Sequence, residues 1–284
     1  MSTLENTPYL SPVGFQRAKS ELIGTRFADL RAVSETGSTN ADVRDLLRAR
    51  RPGDASATSP IVLVADHQTA GRGRLDRSWQ APPGASVLMS IGLPVDQLAP
   101  GRRSLLTSAL ALAATDAGAA VGVSDLGIKW PNDLVVSRAG TTPLKVGGIL
   151  AELVTSDAGD AVVLGLGLNV NWPELPWDLA DTATALNQLV GHDVDREDLV
   201  VALLRSLDAT WLPALDGPAA PDTLLGAYRE RSATIGRRVR VELPTSTLLG
   251  TASSVTDEGA LVVTDDDGAQ HTVTVGDVVH LRPA

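Results

Sequence analysis

The sequence contains no cysteine, which removes disulfide bridges, thiolate nucleophiles and cysteine metal sites together. Histidine is scarce: His67, His192, His271 and His280 are scattered and never take the HExxH spacing of a zinc helix. No apolar run approaches the roughly 18 residues that span a bilayer. The N-terminus also lacks the charged-then-apolar pattern of a secretion signal, so a cytoplasmic protein is expected. Basic charge is in deficit. Lys and Arg total 24 against 34 Asp and Glu, a formal charge of −10, whereas a general nucleic-acid binder carries a basic face. Within the basic set, lysine occurs only at Lys19, Lys129 and Lys145. Either the two motif lysines are needed as compact ammonium groups that arginine cannot replace, or the ratio reflects a base bias of the gene.

What is present suits one large domain and one small one. The chain has 284 residues, 43% of them hydrophobic, with 26 glycines and 17 prolines, a composition for many turns rather than a helical bundle. Residues 1–14 read as a loose tail. A helix is expected over Phe15–Leu30, a strand over Leu30–Glu35, then a turn and a helix to about Arg50, with Thr39 and Asp42 at capping-box spacing. Strands follow at Ile61–Ala65 and Ser86–Leu93, an Ala/Leu-rich helix at Arg102–Ala120, and strands at Gly127–Trp130, Leu134–Val136, Val146–Val154 and Ala161–Leu168. The last two form a hairpin across Ser156–Gly159. Asp195 starts a helix with the apolar stripe Leu199, Leu203, Leu207, Trp211, and a helix containing Tyr228 follows. Five short β runs then fill 236–284, with Gly259 and Gly268 in turns. The expected fold is α+β: a mixed sheet with helices on one side over 15–232, and a small β-barrel over 236–284.

Four segments carry candidate chemistry. Gly71-Arg72-Gly73-Arg74-Leu75-Asp76-Arg77-Ser78-Trp79 interleaves glycines, which let backbone approach a ligand, with guanidiniums that neutralise anionic oxygens. Trp79 adds a flat stacking face. The segment is neither GxGxxG nor GxxxxGK[ST], and its plainer reading is a solvated hairpin tip. Lys129-Trp130-Pro131-Asn132-Asp133 offers an ammonium, an amide and a carboxylate at a strand junction, or an ordinary turn. Lys145-Val146-Gly147-Gly148-Ile149-Leu150-Ala151-Glu152 puts a lysine at the entry of a strand beside two glycines, or is a strand with a surface lysine. Gly165-Leu166-Gly167-Leu168-Asn169 leaves one strand face flat, either as the floor of an apolar ligand site or for a close helix–sheet contact.

Taken in this order, and with Ser38-Thr39-Asn40 and Gln68-Thr69-Ala70 ahead of the arginine–glycine loop, these segments resemble the catalytic domain of biotin protein ligases. The resemblance runs from about residue 30 to the C-terminus, including that family's SH3-like barrel. It implies the class II synthetase-like ligase fold and a two-step reaction. ATP activates biotin to biotinyl-5′-AMP, which is then transferred to a lysine of a biotin carboxyl carrier domain of acetyl-CoA or related carboxylases. It further implies catalytic roles for Lys145, Arg72 and Arg74. Ser38, Thr39, Asn40, Gln68, Gly71, Arg72, Gly73, Lys145, Gly148, Gly165 and Gly167 would contact biotin. Arg74, Trp79, Lys129, Asn132 and Asn169 would contact ATP. Magnesium is expected with ATP, with Asp133 as a helper ligand. The loop departs from the family pattern at Leu75-Asp76, where a basic or polar residue and then glycine are common. About 25 residues precede the domain, too few for the DNA-binding module of the repressor members, so no operator binding is expected. A lipoate or octanoyl transferase shares the fold, but the GRGR and KWPND segments favour biotin. A biotin sensor without catalysis would not need Lys145, Arg74, Trp79 and Asn132. The glycines and exposed charges of 71–84 suggest a loop mobile without ligand.

Overall fold

A computed structural model describes residues 14–54, 57–75, 77–137, 142–216, 220–243 and 246–280. The expected tail therefore lies outside the described residues but for Gly14, as do Asp76 and Leu281.

Seven strands build the main sheet: β1 (Leu30–Thr36), β2 (Ile61–Gln68), β3 (Ser86–Pro94), β4 (Leu126–Lys129), β5 (Asp133–Val136), β6 (Leu144–Ser156) and β7 (Gly159–Asn169). Their spatial order is β1-β2-β3-β7-β6-β5-β4. β1 and β2 run parallel and every other neighbouring pair antiparallel, so the sheet is mixed. β3 is buried at eight consecutive positions because both of its faces are covered, which is why it reads as a continuous apolar run rather than an alternation. Ser156 pairs with Gly159 at the expected hairpin, where Gly159 takes φ +118.

The helices are α1 (Gln16–Glu21), α2 (Thr39–Arg48), α3 (Pro100–Arg103), α4 (Leu106–Ala120), α5 (Leu186–Val190), α6 (Arg196–Ser206) and α7 (Ala220–Glu230). On one face α4, α6 and α7 form the main layer, with Leu106, Leu110, Leu199, Leu203 and Leu224 in one core with Met89, Ile91 and Leu164. The short α2 lies on the opposite face, where Val43 and Leu47 pack with Ile61, Leu63 and Val163. That second face carries the candidate site.

Three local expectations are corrected. The first helix stops at Glu21 rather than Leu30, because Gly24 at φ +87 turns the chain into the left-handed region. The helix expected over 102–120 is two pieces, α3 and α4. The capping box is absent: Ser38 is the N-cap of α2 and makes no side-chain cap bond. Asp42 instead accepts from the Thr36 hydroxyl, and Thr39 turns towards Gln68. By contrast Asp195 caps α6 through the N–H groups of Glu197 and Asp198. The stripe ends in a π-helical turn, Leu207–Trp211, in which Trp211 donates to Asp116 at 2.7 Å.

The C-terminal unit is a five-stranded antiparallel sheet of β8 (Arg238–Glu242), β9 (Thr247–Val255), β10 (Leu261–Thr264), β11 (Gln270–Val273) and β12 (Asp277–His280), ordered β11-β10-β9-β8-β12. Its buried Val239, Val241, Leu261 and Val263 belong to the same apolar cluster as the main core, so the two units are packed together. Polar contacts seal the junction. Trp130 donates from Nε1 to the Gly259 carbonyl at 3.0 Å and from its backbone N to Thr234 Oγ1 at 3.0 Å. Thr234 Oγ1 lies 3.1 Å from His280 Nε2. Burial, and then the charges of Lys129 and Arg237, lower the His280 imidazole from 6.5 to about 4. An unfolded chain therefore binds this proton first. The stability that depends on neutral His280 is complete above about pH 6.5 and is lost as pH falls towards 4. Urea unfolding of His280→Gln should show a weaker fall in stability than the parent between these pH values. Identical pH slopes would contradict the assignment.

Candidate functional site

The site starts from a strand face without side chains. Gly148 of β6 pairs with Gly167 of β7, and Leu150 with Gly165, so these four residues share one face of the sheet. A methyl group on Gly165 would stand 2.1 Å from Asn40 Oδ1, and one on Gly167 2.5 Å from Trp79 Cε2. The flat floor is therefore what lets α2 and the tryptophan descend onto the sheet. Between them lies a cavity of about 130 Å³. Ser38, Thr39, Asn40, Gln68, Arg72, Gly73, Arg74, Trp79, Asn132, Asp133, Lys145, Gly148, Gly165 and Gly167 all line it. Asp277 lines it too, so segments from Ser38 to Asp277 meet at one place.

One wall is a buried hydrogen-bond chain. Ser38, Thr39 and Asn40 are 7%, 3% and 4% exposed and Ser90 is fully buried. Thr39 donates its backbone N–H to Gln68 Oε1 at 2.8 Å, and its hydroxyl lies 3.0 Å from the same oxygen. Ser90 Oγ lies 2.7 Å from Thr39 Oγ1 and 2.6 Å from Asn40 Oδ1. Asn40 Nδ2 donates to Glu152 Oε2 at 2.7 Å.

The opposite side is cationic. Residues 71–79 form a small hairpin in which Trp79 N donates to Gly71 O at 2.9 Å and Gly73 N to Arg77 O at 2.6 Å. Leu75 sits near its tip at φ +54, a left-handed conformation that costs a non-glycine residue. Each cation here has a partner in the protein. Arg72 lies 3.3 Å from Glu152. Arg74 donates to Asn132 Oδ1 at 3.0 Å and to the Gly276 carbonyl at 3.2 Å. Arg77 pairs with Asp277, and Lys145 Nζ lies 2.6 Å from Asp133 Oδ1 and 5.7 Å from the centre of the Trp79 ring. Trp79 Nε1 is buried with no hydrogen-bond partner, a donor open to an incoming acceptor. The loop suggested by its composition to be free is here tied to the sheet and to β12.

Three expected site residues stand apart from the cavity lining. Lys129 ends β4 opposite Asp133 and is one of the two charges acting on His280. Asn169 is 6% exposed and donates to the Thr184 carbonyl at 3.2 Å, fastening the end of β7. Gly71 lies behind the wall, where a methyl group would meet Trp79 O at 2.4 Å. Sequence reasoning missed Ser90, Glu152 and Asp277. Ser90 carried a signal, a lone hydroxyl inside an apolar strand. Asp277 carried none, because it meets Arg77 from 200 positions away. Among the described residues no group of three His, Asp or Glu is arranged to hold a metal.

The floor is testable without a ligand. Gly167→Ala should lower thermal stability by about 1–3 kcal/mol through overpacking against Trp79. Gly226→Ala in α7, with nothing within 4 Å, should raise it by about 0.5–1 kcal/mol. Thermal unfolding that places both variants on the same side of the parent would contradict the contact.

Known proteins are similar to this chain in sequence and fold. The family model described as biotin/lipoate A/B protein ligase matches residues 51–169, and the biotin protein ligase C-terminal domain matches residues 234–281. The chain is 40% identical over 277 residues to the biotin–[acetyl-CoA-carboxylase] ligase of Mycobacterium tuberculosis, covering 95% of this chain and 97% of that one. It is 30% identical to the bifunctional ligase/repressor BirA of Bacillus subtilis, covering 88% of this chain and 73% of the relative. The biotin protein ligase of Aquifex aeolicus, solved in complex with biotin and ATP, superposes with a TM-score of 0.71 at 25% identity, over 90% of this chain and 100% of that chain. With two family models matched in the right order and a relative similar over almost its entire length, the chain belongs to the biotin protein ligase family.

Proposed function

We propose that this chain is a biotin–protein ligase and that the cavity on the glycine face is where it activates biotin. The observation that carries the assignment of residues is the convergence of Arg72, Arg74 and Lys145 on a cavity whose other wall is a buried chain of donors and acceptors. A biotin ligase has to hold a ureido ring by paired hydrogen bonds, and Ser38, Thr39, Asn40 and Gln68 offer that chemistry. It must also bring a carboxylate up to a triphosphate. Two anions repel, so fixed positive charge between them is the main requirement, and it acts more strongly in a site screened from water.

In the first step a biotin carboxylate oxygen attacks the α-phosphorus of ATP, the bond to the bridging oxygen breaks, and pyrophosphate leaves with its electron pair. Lys145, released from Asp133 towards the developing charge, and Arg72 and Arg74 are proposed to stabilise that transition state. Trp79 and Asn132 are proposed to hold the nucleotide, and Trp79 Nε1 has a free hydrogen to offer. Lys129 and Asn169 fit a supporting role from behind the wall better than direct contact. In the second step a carrier lysine amine attacks the acyl carbon, AMP departs and the amine loses a proton. The acceptor is proposed to be a carrier domain of acetyl-CoA carboxylase, the enzyme that the Mycobacterium relative's name carries. Magnesium held chiefly by the phosphates would need only one protein carboxylate. Asp133 fits that part once Lys145 has moved, and the ion would supply further neutralisation of the phosphates.

Residues 15–232 are proposed to form the catalytic unit and 236–284 the small second one. No described helix is long and apolar enough to cross a membrane, and the proposed place of work is the cytoplasm.

The direct test is exchange of labelled pyrophosphate into ATP, with lipoate as the control. Exchange driven by biotin and not by lipoate is expected, and exchange driven by lipoate alone would overturn the substrate. Lys145→Ala should lower the exchange rate by about 100-fold or more, with an unchanged unfolding temperature, since Lys145 is 38% exposed. A rate within about threefold of the parent would remove Lys145 from this role.

A further inference from the structure

The motif Lys145–Glu152 ends on a carboxylate that the catalytic reading leaves without a task. Glu152 lies on β6 two residues beyond Leu150, on the face that also carries Gly148. One oxygen accepts from Asn40 Nδ2 at 2.7 Å, and both lie 3.3 Å from Arg72 Nη2. It thus touches both the buried polar wall and the cationic loop.

Its chemistry fixes a direction. An ionised carboxylate only accepts, so the Asn40 amide must present nitrogen to Glu152 and oxygen to Ser90. Ser90 has a single proton, and Asn40 Oδ1 at 2.6 Å needs it. Ser90 Oγ therefore acts as an acceptor towards Thr39. At the far end the Thr39 backbone N–H, a donor only, fixes Gln68 Oε1 as acceptor. The wall is held at both ends, and at the Asn40 end two acceptors fix the amide, the Glu152 carboxylate at 2.7 Å and the Leu150 carbonyl at 3.3 Å. The same carboxylate gives Arg72 a counter-charge at the cavity mouth. With the Arg72 and Glu152 side chains 44% and 25% exposed, the pair adds little to fold stability. Its effect falls on geometry.

We propose that Glu152 is a positioning residue for biotin: it holds the Asn40 amide at the end of the Asn40–Ser90–Thr39 wall and holds Arg72 over the cavity. This rests on the ligase reading above. In Glu152→Gln Asn40 loses its shorter, charged acceptor and keeps only the Leu150 carbonyl, and Arg72 loses its counter-charge. Calorimetry without ATP should show biotin bound about tenfold more weakly. Pyrophosphate exchange should show a similar rise in KM for biotin, with the unfolding temperature unchanged. Glu152→Asp, which keeps an acceptor-only anion, should recover most of the affinity. Arg72→Gln should weaken biotin less in the Glu152→Gln background than in the parent. Unchanged biotin affinity in Glu152→Gln, an aspartate variant as weak as the glutamine one, or additive effects of the two substitutions would each overturn the proposal. A parent protein that binds biotin but exchanges no pyrophosphate would count against the ligase reading instead, and the calorimetric comparison would still decide the role of Glu152.

Discussion

Four cations stand around one small cavity, and the protein answers each of them. Arg72 has Glu152, Arg74 has Asn132 and the Gly276 carbonyl, Arg77 has Asp277, and Lys145 has Asp133. Without these partners the loop from Gly71 to Trp79 would carry three arginines within six residues, and repulsion among them would open it. With them three of the four charges face a carboxylate, Arg74 keeps its charge against neutral acceptors, and the cluster is set in place. None of the pairs is deeply buried, so each adds about 1 kcal/mol or less to stability. What they determine is where the charges stand before an anion arrives. Carboxylate and phosphate then compete for cations already aimed at them, and reorganisation is small.

The sheet makes that arrangement possible by what it leaves out. Gly148, Gly165 and Gly167 remove side chains from adjacent strands at one level, and Asn40 and Trp79 occupy the depth so gained. The helix layer of the other face is excluded from this side, where only α2 sits. The C-terminal sheet enters twice: it fastens Trp130 and Thr234 at the base of the Lys129–Asp133 segment, and it offers Gly276 and Asp277 to the arginine loop. The small unit is therefore part of the wall of the site.

Much of this was legible in the sequence for local reasons. β3 and β7 are read from apolar runs, the hairpin at Ser156–Gly159 from its turn residues, and the C-terminal strands from short β runs with Gly259 and Gly268 in the turns. Helix ends were less legible. Gly24 stops α1 through its backbone conformation, and Thr39 gives up capping because Gln68, 29 positions away, is a better partner. The motifs brought the right segments to one cavity, but their long-range partners were hidden. Arg77 with Asp277 and Asn40 with Glu152 are tertiary pairings that no local spacing encodes. Lys129 and Asn169 belong to the motifs yet face the supporting structure. Composition suggests that 71–84 is mobile without ligand, because exposed arginines and glycines give no hint of their distant acceptors Asn132, Glu152, Gly276 and Asp277.

The central claim is that the arginine loop is held by the protein's own groups before any substrate binds. Amide hydrogen exchange at Gly73 and Trp79, whose N–H groups close the loop hairpin, tests it directly in the ligand-free protein. The account predicts slow exchange at both amides without biotin or ATP, with little further protection when both are added. Exchange at the rate of an open chain, slowed only by the two substrates together, would contradict it.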